Sequence, residues 1–343
     1  MRSEVAAAIE RASRAALVFD LARIEANLRA VASAAHAHDI RVLLAVKSFP
    51  HPAVRGLAAE LLDGEDVASQ CEADGATRGI LSIADPSGAA SRTWSGRMIV
   101  GCETVAQVER APAHAEIAIR VSASLGGRDP AIGAILDGSG HRRSRFGVES
   151  RAEIAALYRA AAGRPVGLHV HHGAVVATSA ERFVATARDA LAAADFAPAF
   201  LDLGGAWHGI ADLPAAFGAL RAALSCELIV EPGRVLSQHA GFATGRVCIA
   251  RRAGDRELRV IELSRIAHLR WSAVALEAPP PAAGGAPMLF VGPTCFEEDV
   301  LGEWIVAGSY AVGDRATFRG ATGYALAWNT SFGGVPAAEV VLV

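Results

Sequence analysis

The chain is poor in cysteine. Its 343 residues include five (Cys71, Cys102, Cys226, Cys248, Cys295), an odd number, widely spaced and without a CxxC. That argues against a disulfide framework and against a cysteine-built zinc site. Long apolar runs are missing too: no stretch reaches the about 18 apolar residues that a membrane-spanning helix needs. Residues 1–20 intersperse Arg2, Glu4, Glu10, Arg11 and Arg14 with alanines and lack the apolar centre of a secretory signal, so a cytoplasmic location is expected. An excess of basic charge is also absent. Lys and Arg number 33 against 36 Asp and Glu, a net of −3, which gives no electrostatic case for nucleic acid or an acidic membrane. The 34 glycines follow no repeat period. What is there is ample core: 52% hydrophobic and 20% charged residues, unlike a disordered or collagen-like chain. The length suits one large domain or two moderate ones.

Short apolar runs alternate with amphipathic stretches from Leu17 to about Arg234. The runs are Arg41–Lys47, Asp66–Ser69, Ile80–Ala84, Arg97–Gly101, Glu116–Ser122, Pro165–His172, Phe200–Leu203 and Glu227–Glu231. Segments such as Leu21–Ala37, Arg151–Ala162 and Ala180–Ala194 carry the 3.6-residue period of helices between them. Strands alternating with helices imply parallel βα units, and eight strands is the number that closes a (β/α)8 barrel of the TIM type; an open doubly wound sheet is the alternative. After Arg234 the texture turns to strands (Phe242–Ala253, Glu257–Leu263, Met288–Val291, Ala316–Phe318, Glu339–Val343). Residues 278–286, APPPAAGGA, predict an exposed loop, because proline and glycine break both kinds of element. The expected α/β architecture is a barrel over 17–234 and a second, mostly β domain over 235–343, which residues 1–16 are able to join.

Barrel enzymes collect reactive groups where the strands end. Lys47 ends the run Val42-Leu43-Leu44-Ala45-Val46, where loss of solvation would free its amine for Schiff-base chemistry. An isolated lysine can equally snorkel outward at such a position. The sixth strand ends in His169-Val170-His171-His172, with His169 and His171 on one side by alternation. Paired histidines also suit a metal, but the spacing offers no third ligand, and no metal is expected. The seventh strand ends in Asp202-Leu203-Gly204-Gly205-Ala206, whose glycines allow backbone amides close to a phosphate. Glu231-Pro232-Gly233-Arg234 ends the eighth and sets a carboxylate and a guanidinium beside that corner. A lysine, a stacking imidazole, phosphate-binding glycines and an acid–arginine corner together fit one cofactor, pyridoxal 5'-phosphate. A carboxylate at its ring nitrogen keeps the ring protonated, which suits decarboxylation better than racemisation.

On these motifs the sequence resembles the fold type III pyridoxal-phosphate decarboxylases, the group of the diaminopimelate, ornithine and carboxynorspermidine enzymes. Ala45-Val46-Lys47 is similar to the cofactor-lysine motif, and Asp66-Val67-Ala68-Ser69 with Glu72 to the segment after the second strand. Ile119-Arg120-Val121 resembles the strand arginine that points into the site, and Ser144-Arg145-Phe146-Gly147 the family's Ser-Lys-Phe-Gly. Gly292-Pro293-Thr294-Cys295 with Asp299 resembles the segment that completes the partner's site, Gly323-Tyr324 the phosphate tyrosine, and Phe332-Gly333-Gly334 the family's Phe-Asn-Gly.

The resemblance implies a lyase. Lys47, Cys295 and Glu231 would be catalytic. Lys47, Asp66, His171, Gly204, Gly205, Glu231, Gly233, Arg234 and Tyr324 would bind the cofactor. Arg120, Phe296 and Asp299 would meet the substrate, a polar amino acid such as a diamino acid, a carboxylated polyamine or a siderophore or other secondary-metabolite precursor. It also implies a homodimer with shared active sites. Ala174 stands where a phosphate-binding serine is usual, Ala206 replaces a third glycine, and Phe296 replaces a carboxylate that reads a distal amine. An amino-acid racemase on the same fold and a non-catalytic pyridoxal-phosphate carrier are the rivals.

Overall fold

The computed structural model describes residues 1–123, 125, 144–171 and 180–343 in full, and 135–136 and 142–143 by backbone alone. Two compact units emerge: residues 28–47 with 55–235, and residues 1–27 with 48–54 and 236–343.

The first unit is a closed barrel of parallel strands. Ile40–Ala45, Gly64–Val67, Ile80–Ile83, Met98–Cys102, Glu116–Val121, Val166–Val170, Phe200–Asp202 and Glu227–Val230 follow one another around it. Leu228–Val230 pair back onto Ile40–Val42, which closes the ring and removes the open-sheet alternative. These are the eight apolar runs, shifted at their ends by one or two residues. They are apolar because a parallel strand in such a barrel is covered on both faces. Leu43, Ile80, Ile99, Ala118, Phe200 and Ile229 fill its interior.

Side-chain caps start the outer helices: Ser69 accepts from the Glu72 amide, Ser150 from Glu153 and Asp212 from Ala215, and Thr104 with Gln107 forms a capping box. No helix links Ile83 to Met98. There Asp85 gathers the amides of Ser87, Ala89 and Ala90 into a tight turn.

Where the strands begin, charged groups close the barrel floor. Arg97 holds Glu116 through two nitrogens (3.0 and 2.8 Å) and Glu227 through a third (2.7 Å). Arg41 lies 3.1 Å from Asp63, which also accepts from the Val42 amide and meets His36 at 2.8 Å.

The second unit is built on an eight-stranded sheet ordered Ala275–Ala278, Arg315–Arg319, Gly241–Ala253, Arg256–Ile261, Pro281–Val291, Val300–Val306, with Ala16–Phe19 and Glu339–Leu342 joined beside Gly241–Ala253. The helix Ser3–Arg11 buries Val5, Ala8 and Ile9, one face at i, i+3 and i+4, against Ala16, Val18 and Phe242.

Two sequence expectations need correcting here. The strand Ala16–Phe19 is antiparallel to Gly241–Ala253 and parallel to Glu339–Leu342, so the chain from residue 17 starts in this sheet and not in the barrel. Residues 281–286 of the expected loop belong to the strand Pro281–Val291. Pro281 opens it, where no ladder amide is needed, and a register shift that sets both Pro281 and Ala286 against Val306 absorbs the glycines. No helix among the described residues is long and apolar enough to cross a membrane.

Candidate active site

The opposite end of the barrel gathers most of the expected residues. The strand Ile40–Ala45 stops before Lys47, which lies in the single 3-10 turn Val46–Ser48. Desolvation of Lys47 is therefore only partial: its side chain keeps 39% of its exposure, and its Nζ lies 3.3 Å from Asp66 Oδ2. The other Asp66 oxygen accepts from Ser82 Oγ at 3.0 Å, one strand further on, so the carboxylate that faces the amine is fixed from two sides. Glu72 accepts from the Ala68 amide at 2.7 Å. Burial pushes Glu72 above the usual carboxylate range against the pull of that amide and of Lys47. Lys47 also carries a signal that strand position does not convey. It is the only lysine among the 33 lysine and arginine residues of the chain.

Across the mouth, His169 and His171 leave the sixth strand on one side, their rings 6.4 Å apart. His171 packs on the Gly204-Gly205 turn: a Cβ at Gly204 would come within 2.5 Å of its ring, and the backbone there has φ +59°, so glycine is required twice over. At the next position but one, Ala206 takes φ 74°, the left-handed conformation that the family's third glycine would adopt without strain. Trp207 anchors the turn through its indole N–H to the Gly204 carbonyl (2.7 Å) and by stacking on Phe183 at 3.9 Å. Gly233 is buried, and Arg234 opens the short helix Arg234–Ser237. His172, Gly173 and Ala174 lie outside the described residues.

At the centre, His169, Asp202 and Glu231 are buried, and one donor atom of each lies within 4.8 Å of the others. Spacing along the chain placed no acid near the histidines; closure of the barrel supplies two. Glu231 Oε1 and His169 Nε2 have no hydrogen-bond partner among the described residues. Burial, then the like charges of Asp202 and Asp66, push Glu231 well above its ordinary range; burial also raises Asp202. Burial, with Arg120, His171 and Lys47 nearby, holds His169 well below its ordinary value and hence neutral. A histidine and two carboxyls have the composition of a cation site, but the chain's own Arg120 and Lys47 already act on this corner as its cations. Asp202, quoted in the sequence only as the residue before the glycines, is the member that reading missed.

Arg120, on the strand Glu116–Val121, lies 4.4 Å over the ring of Phe146, whose Arg145 neighbour is also close to that ring at 3.8 Å. Gly147 lets this segment run back along the strand end, Val148 donating to the Arg120 carbonyl. The orphaned Glu231 oxygen and the glycine turn against His171 make a cradle for a flat ring with an acidic partner at its edge, and the residues present fit pyridoxal phosphate.

Four expected residues stand in the other unit. Cys295 is exposed, and Phe296 meets Phe332 edge to face at 6.0 Å. Tyr324 opens the helix Tyr324–Ala327 and meets Trp271 edge to face at 5.3 Å. Asp299 departs from its expected role. It is 2% exposed, and its oxygens take Ser264 Oγ, the Arg265 amide and both the amide and Oγ1 of Thr294. A carboxylate so fully engaged shapes the loop 292–299 and has no free lone pair to offer a substrate.

No protein-family model matches the sequence. No curated protein matches it either. Solved structures do. A lysine/ornithine decarboxylase from Vibrio vulnificus, complexed with putrescine, superposes with a TM-score of 0.78 over 100% of this chain and 99% of its own, at 17% identity. The arginine decarboxylase of Paramecium bursaria Chlorella virus, bound to agmatine, gives 0.75 at 15% identity over 100% of both chains. Carboxynorspermidine decarboxylase from Campylobacter jejuni gives 0.72 at 16%, covering 96% of this chain and 94% of its own. The fold is that of the group the motifs resemble.

Proposed function

We propose that this chain is a pyridoxal-phosphate-dependent decarboxylase of a polar amino acid. The observation that carries the reading is the pairing of a sole lysine, held by Asp66 at a barrel strand end, with a buried carboxyl, Glu231, that has one unpartnered oxygen. The shared fold of the diamino-acid and carboxynorspermidine decarboxylases supports it. When bound, pyridoxal phosphate supplies an electron sink for the pair left by the broken bond between Cα and carboxylate.

This chain's residues do the rest. Lys47 Nζ would hold the cofactor covalently and be the group the substrate amine displaces, with Asp66 orienting it. His171 would pack on the ring face, and Glu231 would hold a proton at the ring nitrogen. Gly204, Gly205, Gly233, Arg234 and Tyr324 hold the phosphate, Ala206 lending its amide at the cost of a strained backbone. Arg120 and Phe296 meet the substrate, and Phe296, in place of an acid, favours a distal group other than a bare amine. Glu231, an acid where an arginine would leave the ring nitrogen unprotonated and suit a racemase, favours loss of CO2 over inversion. Cys295 of the partner subunit in a two-fold dimer protonates Cα; this assembly is part of the proposal.

Borohydride reduction of the protein with pyridoxal phosphate tests the cofactor half. One lysine makes the map unambiguous: the pyridoxyl group is expected on Lys47, and label on the N-terminal amine or nowhere overturns the reading. CO2 release screened across diamino acids, their N-carboxyalkyl derivatives and citryl conjugates tests the reaction. Exchange of inactive Lys47→Ala with inactive Cys295→Ala chains tests the shared site, with about a quarter of wild-type activity expected from random heterodimers. No recovery after verified exchange rejects the shared site.

A further inference from the structure

Asp202 and Glu231 leave neighbouring barrel strands side by side, each 2% exposed. Two carboxylates so close and so dry repel strongly, and the pair is relieved by keeping one proton. The hydrogen-bond pattern says which acid keeps it. Asp202 Oδ1 accepts from the Gly204 amide at 2.8 Å, an interaction that favours its ionised form. Glu231 receives no such donor on Oε1. The proton therefore sits on Glu231 and is shared with Asp202. The charges around the pair are Asp66, which adds to the repulsion, Lys47 and Arg120, which offset it, and the histidines His169 and His171. His169 is neutral and adds no charge of its own.

We propose that Asp202 is a positioning residue that shares one proton with Glu231, so that the buried site supplies its own proton to the ring nitrogen of an entering pyridine cofactor. The inference rests on the cofactor reading above. In the cofactor-free protein the pair holds one proton and one negative charge. As the ring nitrogen comes into reach, the O–H bond of Glu231 breaks and its proton bonds to that nitrogen. The electron pair stays on Glu231, and Asp202 accepts no proton. No proton is drawn from solvent in this step. Asp202 acts through Glu231: its charge makes Glu231 hold a proton in the buried site until the ring nitrogen arrives, and once the proton has moved the pyridinium charge offsets the repulsion between the two carboxylates. Asp202 never touches the ring.

The rival is a purely structural Asp202 that caps the Gly204 turn. Asn at 202 keeps the capping oxygen and removes the charge, which separates the two. The first measurement uses cofactor-free protein and the infrared stretch of a protonated carboxyl, followed against pH. Wild type is expected to show that band at neutral pH, and Glu231→Gln to lose it. Asp202→Asn is expected to lower the pH midpoint of the band by at least one unit, a tenfold weaker hold on the proton. The second is calorimetry of pyridoxal phosphate binding at neutral pH in buffers of different ionisation enthalpy. Asp202→Asn should take up more protons from buffer than wild type, the contribution of Lys47 being common to both.

A capping role alone moves neither quantity. An absent band in wild type, or an unmoved midpoint in Asp202→Asn, overturns the shared proton even if Lys47 carries the cofactor. A band and shift as expected in a protein that fails to bind pyridoxal phosphate overturns instead the cofactor reading, and with it the transfer to the ring.

Discussion

Where the barrel strands begin, Arg97 meets Glu116 through two nitrogens and Glu227 through a third, and Asp63 is held by Arg41, His36 and the Val42 amide. Where the same strands end, Glu231 and His169 each keep a buried polar atom without a partner, and two acids face one another. Both ends bring charge out of water. One end satisfies it within the chain, and the other leaves valence that only a ligand would complete. Unsatisfied buried polarity is expensive to keep in a fold, and among the described residues it falls on Glu231, on His169 and on Ser48 Oγ in the turn that follows the strand Ile40–Ala45, which points to the strand ends as the candidate place of function.

Exchanging what is asked of the two ends is the strongest way to break this contrast. Glu231→Gln should lower CO2 release about a thousandfold, roughly 4 kcal/mol on the barrier, while the melting temperature holds or rises. Near-normal turnover would remove the ring-nitrogen role. Arg97→Met should do the reverse. It strands Glu116 and Glu227, partly screened by solvent, and a loss of about 2 kcal/mol in denaturant unfolding is expected with kcat unchanged. A collapse of kcat in soluble, folded Arg97→Met would show that the floor is not merely structural.

Opposite pH slopes sharpen the comparison next. At the mouth, burial raises Asp202 from 3.8 to about 7 and Glu231 with it, so the fold binds protons more tightly than the unfolded chain does. Their contribution is full below about pH 4 and is lost as pH rises towards 7. At the floor, burial alone would raise Asp63, but the Val42 amide, His36 and Arg41 hold it below 3.8. Its contribution is full above that value and is lost as pH falls through the depressed one. Thermal melts of cofactor-free protein should show a weaker neutral-side decline in Asp202→Asn, where Glu231 alone remains raised, and should lose the acid-side decline in Asp63→Asn, each change on the order of 2 kcal/mol. The smallest effect is at Ala206. Alanine to glycine ordinarily destabilises, but at φ 74° it should leave stability unchanged or raise it by up to about 1 kcal/mol. A clear drop in melting temperature would mean that the left-handed turn is not strained.

The barrel was legible because a parallel strand covered on both faces must be apolar throughout, and each such run stands out between amphipathic stretches. Lys47, His171, the Gly204-Gly205 turn and Glu231 stand out at strand ends, and the resemblance supplies their expected roles. Pairings across strands do not stand out. Asp202 faces Glu231 only because the strand Phe200–Asp202 pairs with Glu227–Val230 in parallel register, a relation that spacing along the chain does not encode. The role at the substrate comes to Asp299 from the resemblance, and nothing local announces that Ser264 and Thr294 close over it. Of the strand Pro281–Val291, the end Met288–Val291 was legible, and the start at 281–286 hid behind prolines and glycines that a bulge accommodates.

The parallel pairing of Ala16–Phe19 with Glu339–Leu342 has a consequence for synthesis. A ribosome releases the first of these strands before any barrel strand and the second after all of them. Leu17, Val18 and Phe19, fully buried in the finished sheet, must wait through nearly the whole of translation with an open edge. In the barrel the other neighbours follow one another in sequence, and the closing pair of Ile40–Ala45 with Glu227–Val230 is complete well before residue 339 is made. Messages cut short before codon 339 would therefore yield chains with a complete barrel and a sticky, half-paired strand, and these should be lost to self-association rather than accumulate as soluble fragments.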